Sequence, residues 1–179
     1  MLGESEKTAL LTIARKTLES YLADEKIPPF AVSCDMLLER KGAFVTLHEG
    51  NKLRGCIGQI YPDTDLYRIV QRCAVSAALE DPRFAPVKKE ELEDLTIEIS
   101  VLSPFRQVRD SEEIEVGKHG LFIVQGIFRG LLLPQVATEH RWGRVEFLEH
   151  ACRKAGLNRD AWKDAGTEIN IFEADVFSE

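Results

Sequence analysis

Two short polar turns that carry glycine, His48-Glu49-Gly50-Asn51 and Gln125-Gly126, each sit between runs rich in strand-forming residues. A turn of this kind folds the second run back antiparallel to the first, so the chain must accommodate two hairpins well separated in sequence. The first has arms at Gly42 to Leu47 and Leu53 to Ile60; the second has arms at Leu121 to Val124 and Arg129 to Leu133. Helical patterns surround them. From Ser5 to Ala23 apolar residues recur at Leu10, Ile13, Ala14, Leu18 and Tyr21, and Ile27-Pro28-Pro29 stops that helix. Pro62-Asp63-Thr64 offers a helix start, and the stripe Leu66, Ile69, Val70, Cys73 and Ala77 runs to the stop at Asp81-Pro82.

Leu95 to Leu102 alternates Ile97, Ile99 and Val101 with Thr96, Glu98 and Ser100, the mark of a strand with one buried face. A third long helix is expected from Thr138 or Glu139 to Ala155, with Trp142, Val145, Leu148 and Cys152 on its stripe and Gly156-Leu157 as its stop. Trp162 belongs to a short helix or turn, and Ile169 to Phe177 reads as a final strand. Hairpins separated by helices predict an α+β fold, mainly antiparallel sheet flanked by helices. At 179 residues, 44% of them hydrophobic, residues 1–179 form one domain with a real core. The charged stretches near 82–94 and 103–116 are where it would divide into two lobes.

The formal net charge of −7 excludes a broad basic footprint for nucleic acid and leaves room only for a small local one. No apolar run approaches the roughly 20 residues that span a bilayer, and the first residues lack a charged-then-apolar signal pattern. The expectation is a cytoplasmic protein without membrane contact. Four widely spaced cysteines with no C-x-x-C pair are expected to be free thiols. There is no H-E-x-x-H, no zinc-finger spacing, no G-x-G-x-x-G after a strand and no P-loop, so no metal site is expected and no cofactor is indicated.

One segment breaks the strand-building rules: Leu53 to Gly58, L-R-G-C-I-G, in the returning arm of the first hairpin. Alternation puts Arg54, Cys56 and Gly58 on one face and Leu53, Gly55 and Ile57 on the other. Glycine inside a strand marks a bulge or the close approach of a ligand or another backbone. An arginine beside a cysteine favours the thiolate, the form that attacks carbon. The alternative is structural: glycine bulges that twist the arm, a space-filling thiol, and Arg54 paired with an acid. By contrast Cys73 and Cys152 fall on apolar helix stripes and read as core, and Cys34, alternating with Phe30 and Val32 in a short strand, reads likewise. His119, in Gly117-Lys118-His119-Gly120, has the chemistry of a general base, and Glu139, in the first turn of the third helix, suits the helix dipole and can orient a histidine.

Taken together, L-R-G-C-I-G at 53–58, D-P-R-F at 81–84, I-S-V-L-S-P at 99–104, G-K-H-G-L at 117–121 and R-G-L-L-L-P-Q-V-A at 129–137, with Glu139, Trp142, Cys152 and Ala155-Gly156-Leu157, resemble the AMMECR family, whose bacterial and archaeal members are called AmmeMemoRadiSam system protein A. The resemblance covers nearly the whole chain in order. It implies an α+β fold of two lobes with the L-R-G-C-I-G strand near a cleft. It also implies two partners, a Memo-type protein and a radical S-adenosylmethionine protein, in a system suggested to modify a biomolecule. The positions that match the family pattern are Arg54, Gly55, Cys56, Gly58, Arg83, His119, Gln135 and Glu139, with Gln59 where other members often carry threonine.

Three functional expectations follow. In the first, Cys56 is a nucleophile, Arg54 binds an anion or lowers the thiol pKa, and His119 is the acid or base, oriented by Glu139; Gly55, Gly58, Arg83 and Gln135 complete a ligand-binding cleft. In the second, the chain is a non-catalytic subunit that presents a substrate to those partners or scaffolds them. The weakest is a local RNA-binding pocket, which the acidic charge disfavours.

Overall fold

The structure, a computed structural model, describes residues 2–179. Two compact units divide the chain: residues up to Leu102 together with Asp175–Glu179, and Ser103–Ala174.

In the first unit, helix α1 (Glu4–Asp24) is followed by a single turn, α2 (Asp35–Leu38), and by the hairpin β1 (Ala43–Glu49) and β2 (Lys52–Gln59). Helix α3 (Leu66–Leu79) then leads through a 3₁₀ segment, Lys89–Asp94, to β3 (Leu95–Leu102). The sheet runs β2-β1-β3-β8, where β8 is Ala174–Ser178. Antiparallel register sets Val45 opposite both Ile57 and Ile99. The alternation of β1 and β3 therefore puts Val45, Leu47, Ile97 and Ile99 on one face, where all four are fully buried in a core with Leu10, Leu18, Ile69 and Val70 of α1 and α3. The helical stripes and the strand alternation thus find each other. The opposite face carries Phe44, Thr46 and His48 of β1, Cys56 and Gly58 of β2, and Thr96, Glu98 and Ser100 of β3. A bulge sets Gly55 opposite Leu47 and Leu53 opposite His48, so Arg54 is left unpaired and the alternation expected to carry it onto the Cys56 face stops there.

The second unit contains β4 (Arg106–Val108), the hairpin β5 (Gly120–Gln125) and β6 (Phe128–Leu132), α4 (Pro134–Glu139), α5 (Arg144–Lys154) and β7 (Glu168–Phe172), with sheet order β4-β7-β5-β6. Leu121, Ile123, Ile169 and Ile171 pack with Phe147, Leu148, Ala151 and Cys152 of α5. Both sheets confirm the α+β reading, and the starts and stops of α1, α3, β3 and both hairpins lie within a few residues of expectation.

Four local expectations are corrected. The third long helix is two helices: Arg141 takes φ 57°, and the Trp142 N–H donates to Ala137 O at 2.8 Å, which closes α4 in the manner of a Schellman turn. Glu146 then accepts from the Gly143 N–H at 2.8 Å and starts α5 anew. Val145, read as part of the stripe, is 52% exposed as a result. Glu139 consequently ends a short helix rather than opening a long one. The final strand is also two strands. Glu173 interrupts it by bonding Ser103 through its backbone at 2.9 Å, after which β8 joins the first sheet. Cys34 caps α2 and lies in no strand, and residues 82–94 stay inside the first unit.

Candidate functional site around Cys56

β2 is an edge strand, and the residues that follow α3 run along its open side. The Cys56 N–H points away from β1 and donates to Asp81 Oδ2 at 2.9 Å. Arg54 grips the same segment further along: Nε and Nη2 donate to Glu91 at 2.9 and 3.3 Å, and Nη1 donates to Ala85 O at 2.8 Å. With its side chain only 14% exposed, Arg54 is committed to holding residues 85–91 against the strand. An edge that would otherwise template another chain is covered in this way.

The two glycines of the motif have packing reasons. A Cβ on Gly55 would lie 2.1 Å from the carbonyl oxygen of Ala77, so β2 and α3 meet backbone to backbone, as the small residues of α3 allow. A Cβ on Gly58 would lie 2.1 Å from the ring of Phe44, its cross-strand partner. Of the close approaches that glycine permits, these are a helix and an aromatic ring.

Because the Cys56 N–H faces the edge, Thr46 and Cys56 form the non-hydrogen-bonded kind of cross-strand pair, in which side chains come closest. The Thr46 hydroxyl donates to Cys56 Sγ at 3.2 Å. Glu98 lies opposite Thr46 on β3, so Cys56, Thr46 and Glu98 form one row across three strands. In the next row Ser100 Oγ is buried with no hydrogen-bond partner among the described residues.

Asp81 is the pivot of this edge. Its side chain is 2% exposed, and it accepts from the Cys56 N–H and from three donors of Arg83: the backbone N–H at 3.1 Å, Nε at 2.9 Å and Nη2 at 2.6 Å. The Arg83 guanidinium, helped by these backbone donors, holds the carboxyl well below the usual carboxylate range. Arg83 itself is 55% exposed and lies 5.4 Å over the Phe84 ring. Burial pushes the Cys56 thiol up from its ordinary pKa; the Thr46 hydroxyl and the Arg83 charge pull the other way, and Asp81 and Glu98 add to the rise. The charged partner that the thiol feels is Arg83 rather than its sequence neighbour Arg54.

Of the positions singled out in the sequence, Arg54, Gly55, Cys56, Gly58 and Arg83 belong to the first unit and His119, Gln135 and Glu139 to the second. Cys56 and Arg83 are brought together on one carboxylate. His119 is 6% exposed and tied into its own turn: Nδ1 accepts from the Glu115 N–H at 3.1 Å, which puts the ring proton on Nε2. Gln135 Oε1 is buried with no partner among the described residues, and Glu139 is exposed. Among the described residues no group of three or more His, Cys, Asp or Glu side chains converges on a metal position. None of their helices is long and apolar enough to cross a membrane. Thr46, Glu98 and Asp81 were not singled out. Asp81 is marked in the sequence only as a helix stop and as the first residue of D-P-R-F, and Thr46 and Glu98 carry no mark until the strand register sets them in the row of Cys56.

Comparison with known proteins places these features in a wider set. The AMMECR1 family model matches residues 11–177. Protein Mbar_A1807 of Methanosarcina barkeri is 44% identical over all of this chain and 93% of its own length. Protein MJ0810 of Methanocaldococcus jannaschii is 40% identical over all of this chain and 92% of its own length. The crystal structure of an uncharacterized protein from Pyrococcus horikoshii, PH0010, superposes with a TM-score of 0.90 at 41% identity, covering 96% of this chain and 90% of that one.

Proposed function

Given that the chain belongs to the AMMECR1 family, we propose that it is the binding component of a modification system shared with a Memo-type protein and a radical S-adenosylmethionine protein, holding a ligand or a partner segment at the Cys56 edge of the first sheet. The observation that carries this reading is the pairing of a thiol raised by burial with a half-exposed arginine fixed on a buried carboxylate. A resting nucleophile needs its thiolate, and burial works against that form here. A binding edge needs preorganised donors, and the Asp81-held guanidinium supplies them.

The test is reconstitution of this chain with the two partner proteins, measuring association and turnover. Cys56→Ser leaves both nearly intact, whereas Arg83→Gln weakens association. Loss of turnover with normal association in Cys56→Ser would assign Cys56 the nucleophile's role instead, with His119 and Glu139 next in line for substitution.

A further inference from the structure

The molecule holds other chemistry-bearing clusters, such as Trp142 stacked between His140 at 4.6 Å and His150 at 3.7 Å, and a cleft lined by Ile27, Thr64, Arg68, Gln71 and Arg72. In that cleft Arg72 is bound to Asp63 and Arg68 lies 3.6 Å from Asp65, so its cations are already matched. Arg83 is different.

We propose that Asp81 is a positioning residue for an oxyanion site, holding the Arg83 guanidinium beside the Cys56 thiol so that Arg83 takes a carboxylate or phosphate group of the ligand next to that thiol. The inference rests on the binding reading above and names the ligand chemistry of the same edge.

The argument is one of unequal exposure within an ion pair. Asp81 and Arg83 cancel in formal charge, but the carboxylate is 2% exposed and surrounded by four donors, while the guanidinium is 55% exposed. What solvent and ligand meet is therefore the positive partner. The bonds to Asp81 engage the Nε and Nη2 side of the guanidinium, leaving the Nη1 side for a second planar or tetrahedral oxyanion. Arginine's fixed fork makes such groups its natural ligands.

Three further observations converge. Asp81 also accepts from the Cys56 N–H, so one carboxylate ties the position of the guanidinium to that of the cysteine backbone. Thr46 bonds the sulfur and restrains the thiol in turn. Arg54, the other arginine of this edge, has Nε, Nη1 and Nη2 all engaged and its side chain is 14% exposed, so it does not compete for the role.

The chain's net charge of −7 makes the experiment discriminating, because the protein as a whole repels small anions. Full-length protein is alkylated in parallel with iodoacetate and with iodoacetamide, and the rate at each cysteine is read by peptide mass spectrometry. Cys34, whose thiol donates to Glu6 Oε1 at 3.8 Å, is the internal reference. The iodoacetate-to-iodoacetamide ratio at Cys56 is expected to exceed that at Cys34 about fivefold at low salt. Arg83→Gln and Asp81→Asn bring it down to the reference, and Asp81→Glu restores part of it. Arg68→Gln, which removes an exposed cation paired with Asp65 on α3, the helix packed against the other face of the same sheet, leaves it unchanged.

Protection of Cys56 by inorganic phosphate or by acetate then tells the two oxyanions apart. Should Asp81→Asn fail to fold, the half-exposed Arg83→Gln still decides the matter. A ratio equal to that of Cys34, a ratio that survives Arg83→Gln, or protection by neither anion overturns the proposal. Because no partner protein is present, failure here is separate from failure of the reconstitution test.

Discussion

Asp81 shows how one buried charge can organise an edge. Four donors converge on a side chain that is 2% exposed, and its carboxyl is held well below the usual range. A carboxyl whose folded pKa lies below its unfolded value near 3.9 contributes stability that is fully present above that value and is lost as pH falls through the folded pKa. Asp81→Asn is therefore expected to cost about 2 kcal/mol at neutral pH, the scale of hydrogen bonds to a charged group, and to cost progressively less as the solution is acidified below pH ~4. Urea denaturation at a series of pH values checks both the size and the sign. The cysteines make a second prediction at this scale. Cys73 is 3% exposed with its thiol pushed up to about 11, and Cys152 is fully buried; Cys34 and Cys56 are partly exposed. Neutral alkylation of the native protein should modify Cys34 and Cys56 first and reach Cys73 and Cys152 only on unfolding. At Cys56 the rate should keep climbing past pH 9, because burial has raised the thiol rather than lowered it. A rate that levels off below pH 8 contradicts this.

At the scale of elements, the glycines of β2 differ in what a methyl group would strike. Gly55→Ala drives Cβ into a backbone carbonyl of α3, which cannot move without displacing the helix, and is expected to destabilise by about 3 kcal/mol. Gly58→Ala strikes the Phe44 ring, which turns about χ1, and should cost about 1 kcal/mol. Thermal denaturation of the two variants side by side gives the ranking. The break between α4 and α5 has the same lesson in another form. Trp142, Val145, Leu148 and Cys152 keep helical spacing across the interruption, so periodicity alone joins them. The signals of separation, Gly143 followed by Glu146 and a left-handed Arg141, are local and override the stripe.

For the whole molecule the consequential feature is the return of the last residues to the first sheet. β8 lies beside β3, the Glu179 N–H donates to Ile97 O at 3.1 Å, and Glu179 also bonds Arg15 of α1. The Leu2 N–H donates to Asp175 at 2.7 Å. Removing residues 174–179 would uncover the far edge of β3 and release those contacts. Hydrogen exchange should then show faster exchange across β3 and α1, with the β5 and β6 amides of the second unit little changed. Equal acceleration in both units would mean that the C-terminal strand supports more than the first sheet.

The sequence by itself determined the α+β class, the two hairpins, most helix bounds, the burial of Cys73 and Cys152, and membership of a family through motifs such as L-R-G-C-I-G and D-P-R-F. These are local or periodic properties, written in the order of neighbouring residues. Tertiary structure alone decided that Arg54 serves Glu91 and that Arg83, through Asp81, is the cation of the Cys56 edge. It also decided that Gly55 is a contact with α3, and that the final strand divides between two sheets. Each of these depends on which distant segment covers which strand. Alternation can say that two side chains share a face, but the partner of a charge is set by the residues that fold against that face and by how much water they exclude.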